Sequence, residues 1–559
     1  MYRKKRIIFR FTACLWLVSL FCLIFGSYLT NKKLDLIHFL KNENTNSEFI
    51  KEHYVDPAEV SITFPEKKRN LIYIYLESME STYADTQSGG GFEDKNVIPE
   101  LCELSYENES FSGNRKLING GIPMYSCTWT MAGLFAQTSG LPLKVSIHGN
   151  EMNTQTSFFP GVTSLGDILA KEGYQNIFMC GSDITFAGRQ KYFQQHGNYT
   201  LMDYYYAKNQ AWIPKDYQVW WGYEDEKLIT NAKRTLTELA TSSKPFNFSM
   251  LTVDTHFEDG YVCENCGNEY GDDQYSNVIA CSSKQISEFV SWIQEQDFYA
   301  NTTIILCGDH ATMDSDYCNS VSSDYIRKTY TTIINSAKEN KNPSIPRVYT
   351  TMDLFPTTLA ALGASIEGDK LGLGTNLYAG CQTLVEEYGY KTLNENLKLH
   401  SDFMDSLADL TMSKALKQDT VNSSALNLNV IDLQYNLVDL HLTDSMDLSI
   451  DWIDKITYTI TPEGADPIVV PPQVEGETLN YHYYLDLKSL PSDSFTVSVD
   501  LHLKDTAPLE LIYKRYKIYN LLGDPVFGAK FIGNEERLIA LRIPIKRNVF
   551  TRGKHYHHF

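Results

Sequence analysis

The sequence predicts a large α/β domain built on a central, mostly parallel β-sheet. Short apolar runs rich in β-branched and aromatic residues, the pattern of strands buried on both faces of a parallel sheet, recur at residues 71–76, 176–180, 246–253 and 303–307. Helical patterns fall between or near these runs, at residues 164–172, 225–241 and 284–296. Because strand and helix alternate, we expect residues 69–387 to form a single α/β domain.

The size and charge of the chain limit its partners. At 559 residues it exceeds what one hydrophobic core usually serves, so more than one folded unit is expected. Its net charge is −20, and no Lys/Arg-rich cluster follows the first ten residues. Nucleic acid is therefore excluded as a partner, since phosphate backbones require concentrated positive charge. A phosphate-bearing substrate would need a local cation, either an arginine or a metal ion.

The N-terminal region predicts a membrane anchor. Residues 11–29 contain no charged side chain, and a helix of this length just spans a hydrocarbon core of about 30 Å. The preceding basic residues, Arg3, Lys4, Lys5, Arg6 and Arg10, place residues 1–10 in the cytoplasm by the positive-inside rule. The alternative is a cleaved signal peptide, but the apolar run is long for one. We expect a single-pass protein of the cell membrane, with a stalk at residues 30–68 and the large α/β domain extracellular or periplasmic.

The C-terminal part has a different character. We expect a helical linker at residues 388–429, a small β-rich, sandwich-like accessory domain at 430–545, where alternating β-rich segments recur between turns, and a tail at 546–559. Nine of the eleven cysteines follow residue 30. Cys263 and Cys266 have the spacing of half a zinc site, but no second such pair or matching histidine pair follows. A disulfide or a loop role is favoured, and the pairing cannot be deduced.

Polar side chains stand directly after the predicted strands. Glu77 follows the first, His256 the third, and Asp309 and His310 the fourth. Each residue alone is weak evidence for a functional site, because a carboxylate at a strand end is usually solvated and Asp309 with His310 could simply form a turn. The carboxyl ends of parallel strands, however, share one edge, which is where α/β sheets bind ligands. Together these oxygen and nitrogen donors predict a site for a divalent metal such as Mn²⁺ or Zn²⁺.

A hydroxyl nucleophile is predicted where a Gly/Pro loop enters a helix of small and apolar residues, at residues 121–136. Free N–H groups at a helix start stabilise an anion. Thr128 and Thr130 are the candidates, and each also fits a simple N-cap.

Several motifs resemble one family. They are residues 49–57 (FIKEHYVDP), 70–83 (NLIYIYLESMESTY), 128–133 (TWTMAG), 139–142 (SGLP), 253–256 (VDTH), 307–310 (CGDH) and 353–358 (DLFPTT). Over residues 45–380 the chain looks like the membrane-bound phosphoglycerol transferases, relatives of the lipoteichoic acid synthases within the alkaline phosphatase/sulfatase superfamily. The resemblance implies an alkaline-phosphatase/sulfatase-like fold and one catalytic divalent ion, usually Mn²⁺, with Zn²⁺ or Mg²⁺ as alternatives.

The resemblance also implies residue roles. Glu77, Asp309 and His310 match the metal ligands, and Thr130 matches the nucleophile that completes the metal shell, with Thr128 in reserve. His256 and Arg189 match substrate-binding residues, the latter in the headgroup pocket. A plain surface arginine is an equal alternative for Arg189.

The implied activity is extracytoplasmic transfer of phosphoglycerol from phosphatidylglycerol to a glycan or polyol-phosphate, teichoic-acid-type acceptor through a phosphothreonine-type intermediate. The alternatives are a phosphoethanolamine transferase, a phosphodiesterase and an inactive, glycan-binding membrane-anchored protein. Sulfatase activity is disfavoured, because Cys127 is followed by neither the proline nor the arginine that sulfatases place there.

Overall fold

The computed structural model describes residues 44–145, 152–153 and 157–408, the strands between residues 424 and 546 with a few adjoining positions, and five isolated positions before residue 44. The predicted span at residues 11–29 lies outside the described residues apart from positions 25 and 26. Within the described part of the chain, no helix has the length and apolar character needed to cross a membrane.

A seven-stranded sheet forms the centre of the α/β body. In chain order its strands are β1 (Asn70–Leu76), β2 (Gly120–Gly121), β3 (Gln175–Cys180), β4 (Thr200–Met202), β5 (Phe246–Leu251), β6 (Thr302–Gly308) and β7 (Thr329–Ile334). The order across the sheet is β2-β7-β6-β1-β5-β3-β4. The five strands from β6 to β4 are parallel, and β7 and β2 continue the sheet antiparallel. The predicted α/β body with a mostly parallel sheet is confirmed.

The strand β1 lies in the middle of this sheet because both of its faces are apolar. Leu71, Tyr73 and Tyr75 pack into the core on one side, and Ile72 and Ile74 pack into the core on the other. Burying a large apolar side chain contributes about 1.5–3 kcal/mol, so the seven-residue strand favours a position covered on both faces.

The register brings the strand ends level. In β1 and β6, Leu76 pairs with Gly308, so the next residues, Glu77 and Asp309, emerge side by side. In β3 and β5, Cys180 pairs with Leu251. The carboxyl ends of four neighbouring strands therefore form one edge.

Helices cover the sheet. They are α1 (Phe49–His53), α2 (Pro99–Glu107), α3 (Thr130–Ser139), α4 (Leu165–Lys171), α5 (Arg189–Gln195), α6 (Tyr204–Asn209), α7 (Asp225–Leu239), α8 (Gln274–Gln294), α9 (Leu354–Ala361), α10 (Leu384–Tyr388), α11 (Tyr390–Lys398) and α12 (Asp402–Ala408). The helix predicted at 284–296 begins ten residues earlier than expected. Asp273 caps α8 by accepting a hydrogen bond from the Ser276 backbone N–H, and the sequence prediction did not extend the helix back to this cap.

The segments flanking the body pack against it. Within the predicted stalk, Ile50 is buried, and Ile62–Thr63 pairs with Ser365–Ile366. In the predicted linker, Leu393 and Leu397 of α11 are buried in the core. The packed body thus includes residues on both sides of the predicted domain.

The described C-terminal strands include a five-stranded antiparallel sheet. Its members are β8 (Ile453–Pro462), β9 (Ile468–Val470), β10 (Ser494–Leu503), β11 (Lys530–Asn534) and β12 (Leu538–Lys546). Their order is β9-β8-β10-β12-β11. This region is β-rich, as the sequence predicts, and the sandwich-like accessory domain stays a prediction.

Candidate active site

The predicted site residues follow neighbouring strands in spatial order. Asp309 and His310 follow β6, Glu77 follows β1 and His256 lies five residues beyond β5. Arg189 begins α5, after β3. The ligand edge predicted from the sequence is therefore continuous across four adjacent strands.

Thr130 is the threonine that faces this edge. It is the first residue of α3, after the extended residue Trp129, and no side chain caps the helix. Its hydroxyl oxygen lies 3.3 Å from Glu77 Oε2 and 3.4 Å from His310 Nε2. Thr128 is exposed. The N-cap alternative does not hold for either threonine, because Trp129 occupies that position.

Four side chains converge with the spacing of metal ligands. His310 Nε2 lies 3.3 Å from Glu77 Oε1 and 3.5 Å from Asp309 Oδ2, in addition to the Thr130 contacts. Ligands placed tetrahedrally around an ion with bonds of about 2.1 Å are separated by roughly 3.4 Å. The spacing thus fits one divalent cation among Glu77, Thr130, Asp309 and His310.

The hydrogen bonds around the cluster also fit a cation. His310 Nδ1 lies 2.8 Å from the Ala311 carbonyl, which only accepts, so Nδ1 carries the proton and Nε2 faces the cluster. Asp309 Oδ1 accepts from the backbone N–H groups of Ser78 and His310, each at 2.8 Å. Its other oxygen, Oδ2, is buried with no hydrogen-bond partner among the described residues. Such a buried acceptor oxygen is suited to a metal ion.

The pKa shifts in the cluster follow from burial and from the charges that its members place on one another. Burial by itself raises the pKa of Glu77, but the charge and hydrogen bond of His310 lower it to about 2. Burial and the Glu77 carboxylate raise the pKa of Asp309 to about 8. Burial alone would lower the pKa of His310, yet Asp309 and Glu77 raise it to about 10. In the absence of a metal ion, a proton on the imidazole supplies the charge.

His256 and Arg189 flank the cluster without joining it. His256 Nδ1 lies 2.7 Å from the Phe257 carbonyl oxygen, so Nδ1 donates this hydrogen bond and Nε2 takes no part in it. Arg189 is buried and donates to the Ser182 hydroxyl and the Asp183 carbonyl. Its Nε has no hydrogen-bond partner among the described residues. The equal alternative of a plain surface arginine is wrong.

The exposed aromatic rings of Trp221 and Phe186 lie between His256 and Arg189. The Trp221 ring lies 5.1 Å from the His256 ring and 6.1 Å from the Phe186 ring. The Arg189 guanidinium carbon lies 5.8 Å from the same Phe186 ring. Trp221 is 47% exposed, so it forms an apolar surface beside the site that sequence reasoning missed.

Sequence reasoning also missed the residues that hold Glu77. The Thr252 hydroxyl accepts from the Glu77 N–H at 2.8 Å, and the Thr255 hydroxyl donates to the Glu77 carbonyl. The Ser78 backbone has a φ of 52°, a strained value for a non-glycine residue, and it turns its N–H toward Asp309. Threonines after β5 could have been suspected from their place at the same edge.

A second pair of buried carboxyls, Asp225 and Asp254, supports the His256 loop. Asp225 accepts from the backbone N–H groups of Val253 and Asp254 at 2.8 and 3.0 Å. Burial raises the pKa of both carboxyls, and each is raised further by nearby acidic groups. The pair therefore retains a proton that two free carboxyls would lose.

This retained proton predicts a pH dependence of stability. Because the folded pKa of Asp254 exceeds its ordinary 3.8, the free energy of unfolding falls as pH rises above that value, by up to ~1.4 kcal/mol per pH unit. Asp254→Asn should flatten this decline in denaturant titrations at several pH values. The exposed control Asp259→Asn should leave it unchanged. Parallel pH curves for Asp254→Asn and the unchanged chain would contradict the prediction.

Gly133 sets how closely α3 approaches β6. A Cβ atom at this position would lie 2.0 Å from the Asp309 carbonyl oxygen. Gly133→Ala should therefore displace α3, which carries Thr130, lower stability by about 3 kcal/mol and remove most activity. Chemical denaturation and turnover assays measure these effects. Ala132→Gly, in the same helix, adds no atom and should keep most activity; wild-type turnover in Gly133→Ala would refute the packing argument.

The chain has sequence similarity to one protein family and to several named bacterial proteins. The sulfatase family model matches residues 69–364, just over half of the chain. Phosphoglycerol transferase I of Salmonella choleraesuis is 30% identical over 378 residues, covering 66% of this chain and 46% of that protein. Phosphoglycerol transferase I of Escherichia coli is 31% identical over 337 residues, covering 59% and 41%. The alignments thus span less than half of these relatives.

Solved structures with similarity to the chain include a lipoteichoic acid synthase and a phosphoglycerol transferase. The lipoteichoic acid synthase LtaP of Listeria monocytogenes has a TM-score of 0.45 and 17% identity, covering 59% of this chain and 80% of that chain. The phosphoglycerol transferase GacH of Streptococcus pyogenes, in complex with sn-glycerol-1-phosphate, has a TM-score of 0.37 and 13% identity, covering 67% and 92%.

Proposed function

The chain belongs to the sulfatase family, and from this premise we propose that it transfers phosphoglycerol from phosphatidylglycerol to a glycan or polyol-phosphate acceptor. The observation that carries the proposal is the convergence of the Thr130 hydroxyl with Glu77 and His310 at 3.3 and 3.4 Å. The names of the two relatives support phosphoglycerol as the transferred group.

Glu77, Asp309, His310 and Thr130 would hold a divalent cation, for which Mn²⁺ is our choice, with Zn²⁺ or Mg²⁺ as alternatives. When bound, the cation supplies the positive charge that lowers the pKa of the threonine hydroxyl and polarises the phosphoryl group. The buried, unpartnered Oδ2 of Asp309 supports this assignment.

In the first step, the Thr130 oxygen attacks the phosphorus of the lipid headgroup. Glu77 Oε2 lies 3.3 Å from the Thr130 hydroxyl oxygen and accepts the hydroxyl proton. A bond forms between the Thr130 oxygen and phosphorus, and the bond from phosphorus to the diacylglycerol oxygen breaks. His256 protonates that leaving oxygen. The uncapped N–H groups at the start of α3 stabilise the phosphoryl oxygens.

In the second step, a hydroxyl of the acceptor attacks the phosphorus of the glycerophosphoryl-threonine. His256 accepts the proton of the acceptor hydroxyl. The bond from phosphorus to the Thr130 oxygen breaks, and the threonine oxygen takes back the proton that Glu77 accepted in the first step. Trp221 offers an exposed ring on which a sugar can stack beside His256.

Arg189 favours a phosphoglycerol over a phosphoethanolamine headgroup. Its buried guanidinium retains an Nε donor without a described partner, which suits a phosphate or glycerol oxygen. An ammonium group would be repelled by the same positive charge.

Sulfate-ester hydrolysis by Cys127 is not supported despite the family name. Cys127 is fully buried, and burial raises the pKa of its thiol to about 12. A protonated, inaccessible thiol is a poor nucleophile.

The predicted anchor at residues 11–29 would place this site at the outer surface of the cell membrane, close to its lipid substrate. We propose that the N-terminus is cytoplasmic and that the catalytic domain faces the extracellular or periplasmic space.

The test is to incubate the full chain with phosphatidylglycerol or phosphatidylethanolamine labelled in the headgroup, with and without Mn²⁺. We expect diacylglycerol release from phosphatidylglycerol only with the metal, and transfer of label to an added glycan acceptor. Preferential turnover of phosphatidylethanolamine would assign the headgroup alternative. Label found only as free glycerol phosphate would indicate a phosphodiesterase. No turnover of either lipid by metal-loaded protein would favour a glycan-binding protein.

A further inference from the structure

Three cysteine sulfurs meet at a place separate from the cluster around Glu77. Cys263 Sγ lies 3.6 Å from Cys266 Sγ and 3.7 Å from Cys281 Sγ. All three sulfurs lie within 4.8 Å of one another. Cys263 and Cys281 are buried, and Cys266 is partly exposed. The nine described cysteines are all free.

The third sulfur changes the interpretation of the first two. From the sequence, the pair formed by Cys263 and Cys266 favoured a disulfide or a loop role, since no partner pair was visible. Cys281 is on α8, so its approach to the pair depends on the fold. A disulfide would use two of these thiols and leave the third unpaired, whereas a metal ion binds all three.

The spacing fits thiolates around zinc. Zinc–sulfur bonds of about 2.3 Å in a tetrahedral site put the sulfurs roughly 3.8 Å apart, close to the two measured separations. Thiolate ligands select soft cations, among which Zn²⁺ is the common structural ion. We propose that Cys263, Cys266 and Cys281 form a second metal site, which binds zinc.

The surroundings of the sulfurs support anionic thiolates. The side-chain amide of Gln285 donates toward Cys281 Sγ at 3.2 Å and toward Cys263 Sγ at 3.7 Å. Such N–H groups stabilise negative charge on sulfur and orient the ligands. The fourth ligand of a tetrahedral ion would be water.

The zinc site would connect the His256 loop to a helix. Residues 252–273, between β5 and α8, contain no helix or strand. This loop carries His256, Cys263 and Cys266, whereas Cys281 is on α8. A cation bound by all three cysteines would restrain the loop. The free energy of metal binding would offset the conformational entropy that is lost when the loop becomes ordered. The site depends only on the three thiolates, so it stands even if the proposed transfer reaction is wrong.

Cobalt spectroscopy tests the site directly. The full chain, purified in detergent under reducing conditions and stripped of metal, is titrated with Co²⁺. A sulfur-to-cobalt charge-transfer band in the near ultraviolet is expected, because the oxygen and nitrogen ligands of the Glu77 cluster cannot produce it. Cys281→Ser should lose most of this band. Cys381→Ser, at a partly exposed cysteine elsewhere, should retain it.

Thiol alkylation of the unchanged chain tests the site even if Cys281→Ser fails to fold. Added zinc should slow alkylation of Cys263, Cys266 and Cys281 together, while Cys381 reacts at its original rate. Absence of the cobalt band in the unchanged chain would overturn the proposal. So would a disulfide between two of the three cysteines in protein that never encountered a reductant and holds no zinc.

Discussion

Replacing Thr130 with alanine should reduce phosphoglycerol turnover by at least about 10³-fold, the scale expected when a nucleophile is removed. The hydroxyl is the group of α3 that contacts both Glu77 and His310, and a neighbouring water cannot form the covalent intermediate. Steady-state release of diacylglycerol from labelled phosphatidylglycerol measures the loss.

Thr128→Ala is the matched control for this variant. Thr128 lies two residues earlier and is exposed, so its replacement should leave turnover close to that of the unchanged chain. Thr130→Ser keeps a hydroxyl on the same helix and should recover part of the activity. If Thr128→Ala were inactive and Thr130→Ala active, the nucleophile would be Thr128.

Asp309→Asn should abolish metal binding at the catalytic cluster and reduce turnover by at least about 10²-fold. An asparagine can keep the two backbone hydrogen bonds that Asp309 Oδ1 accepts from Ser78 and His310. It places an N–H₂ group where the unpartnered Oδ2 faces the cluster, and an amide nitrogen of this kind does not ligate a metal ion. Metal content and turnover of the purified variant test both effects.

Measuring the free energy of unfolding distinguishes a loss of metal binding in Asp309→Asn from misfolding of the variant. In metal-free protein, burial and the Glu77 carboxylate raise the pKa of Asp309 from its ordinary 3.8 to about 8. The contribution of Asp309 to the free energy of unfolding therefore declines as the pH rises above 3.8. The neutral amide avoids that cost, and metal-free Asp309→Asn should unfold no more easily than the metal-free unchanged chain at neutral pH. Asp316→Asn, at an exposed position nearby, should retain metal and activity. A strongly destabilised Asp309→Asn would indicate a structural role instead.

The sheet and its ligand edge were predictable because they depend on local patterns. A strand that is apolar on both faces has to be covered on both faces, and β1, β3, β5 and β6 follow this rule. In a parallel sheet their carboxyl ends share one edge, which brings Glu77 beside Asp309 without any knowledge of side-chain contacts. The resemblance to a known family then suggested the roles of these residues.

Other features depend on three-dimensional contacts that no local pattern reveals. The local pattern leaves Thr128 and Thr130 both open as nucleophiles, and only the family resemblance favours Thr130. In the structure α3 begins at Thr130, which distinguishes the positions of the two side chains. Cys281 joins Cys263 through the packing of α8 against a loop. Asp225 supports the residues after β5 from the start of α7. The sequence spacing of such pairs carries no signal of their contact.

The central claim is that Thr130 carries the phosphoglycerol group between donor and acceptor. The direct measurement is mass spectrometry of protein incubated with Mn²⁺ and headgroup-labelled phosphatidylglycerol, without acceptor, then digested to peptides. A glycerophosphoryl group on Thr130 that disappears when a glycan acceptor is added is the predicted result. Unmodified Thr130 in protein that is releasing diacylglycerol and transferring the label would contradict it.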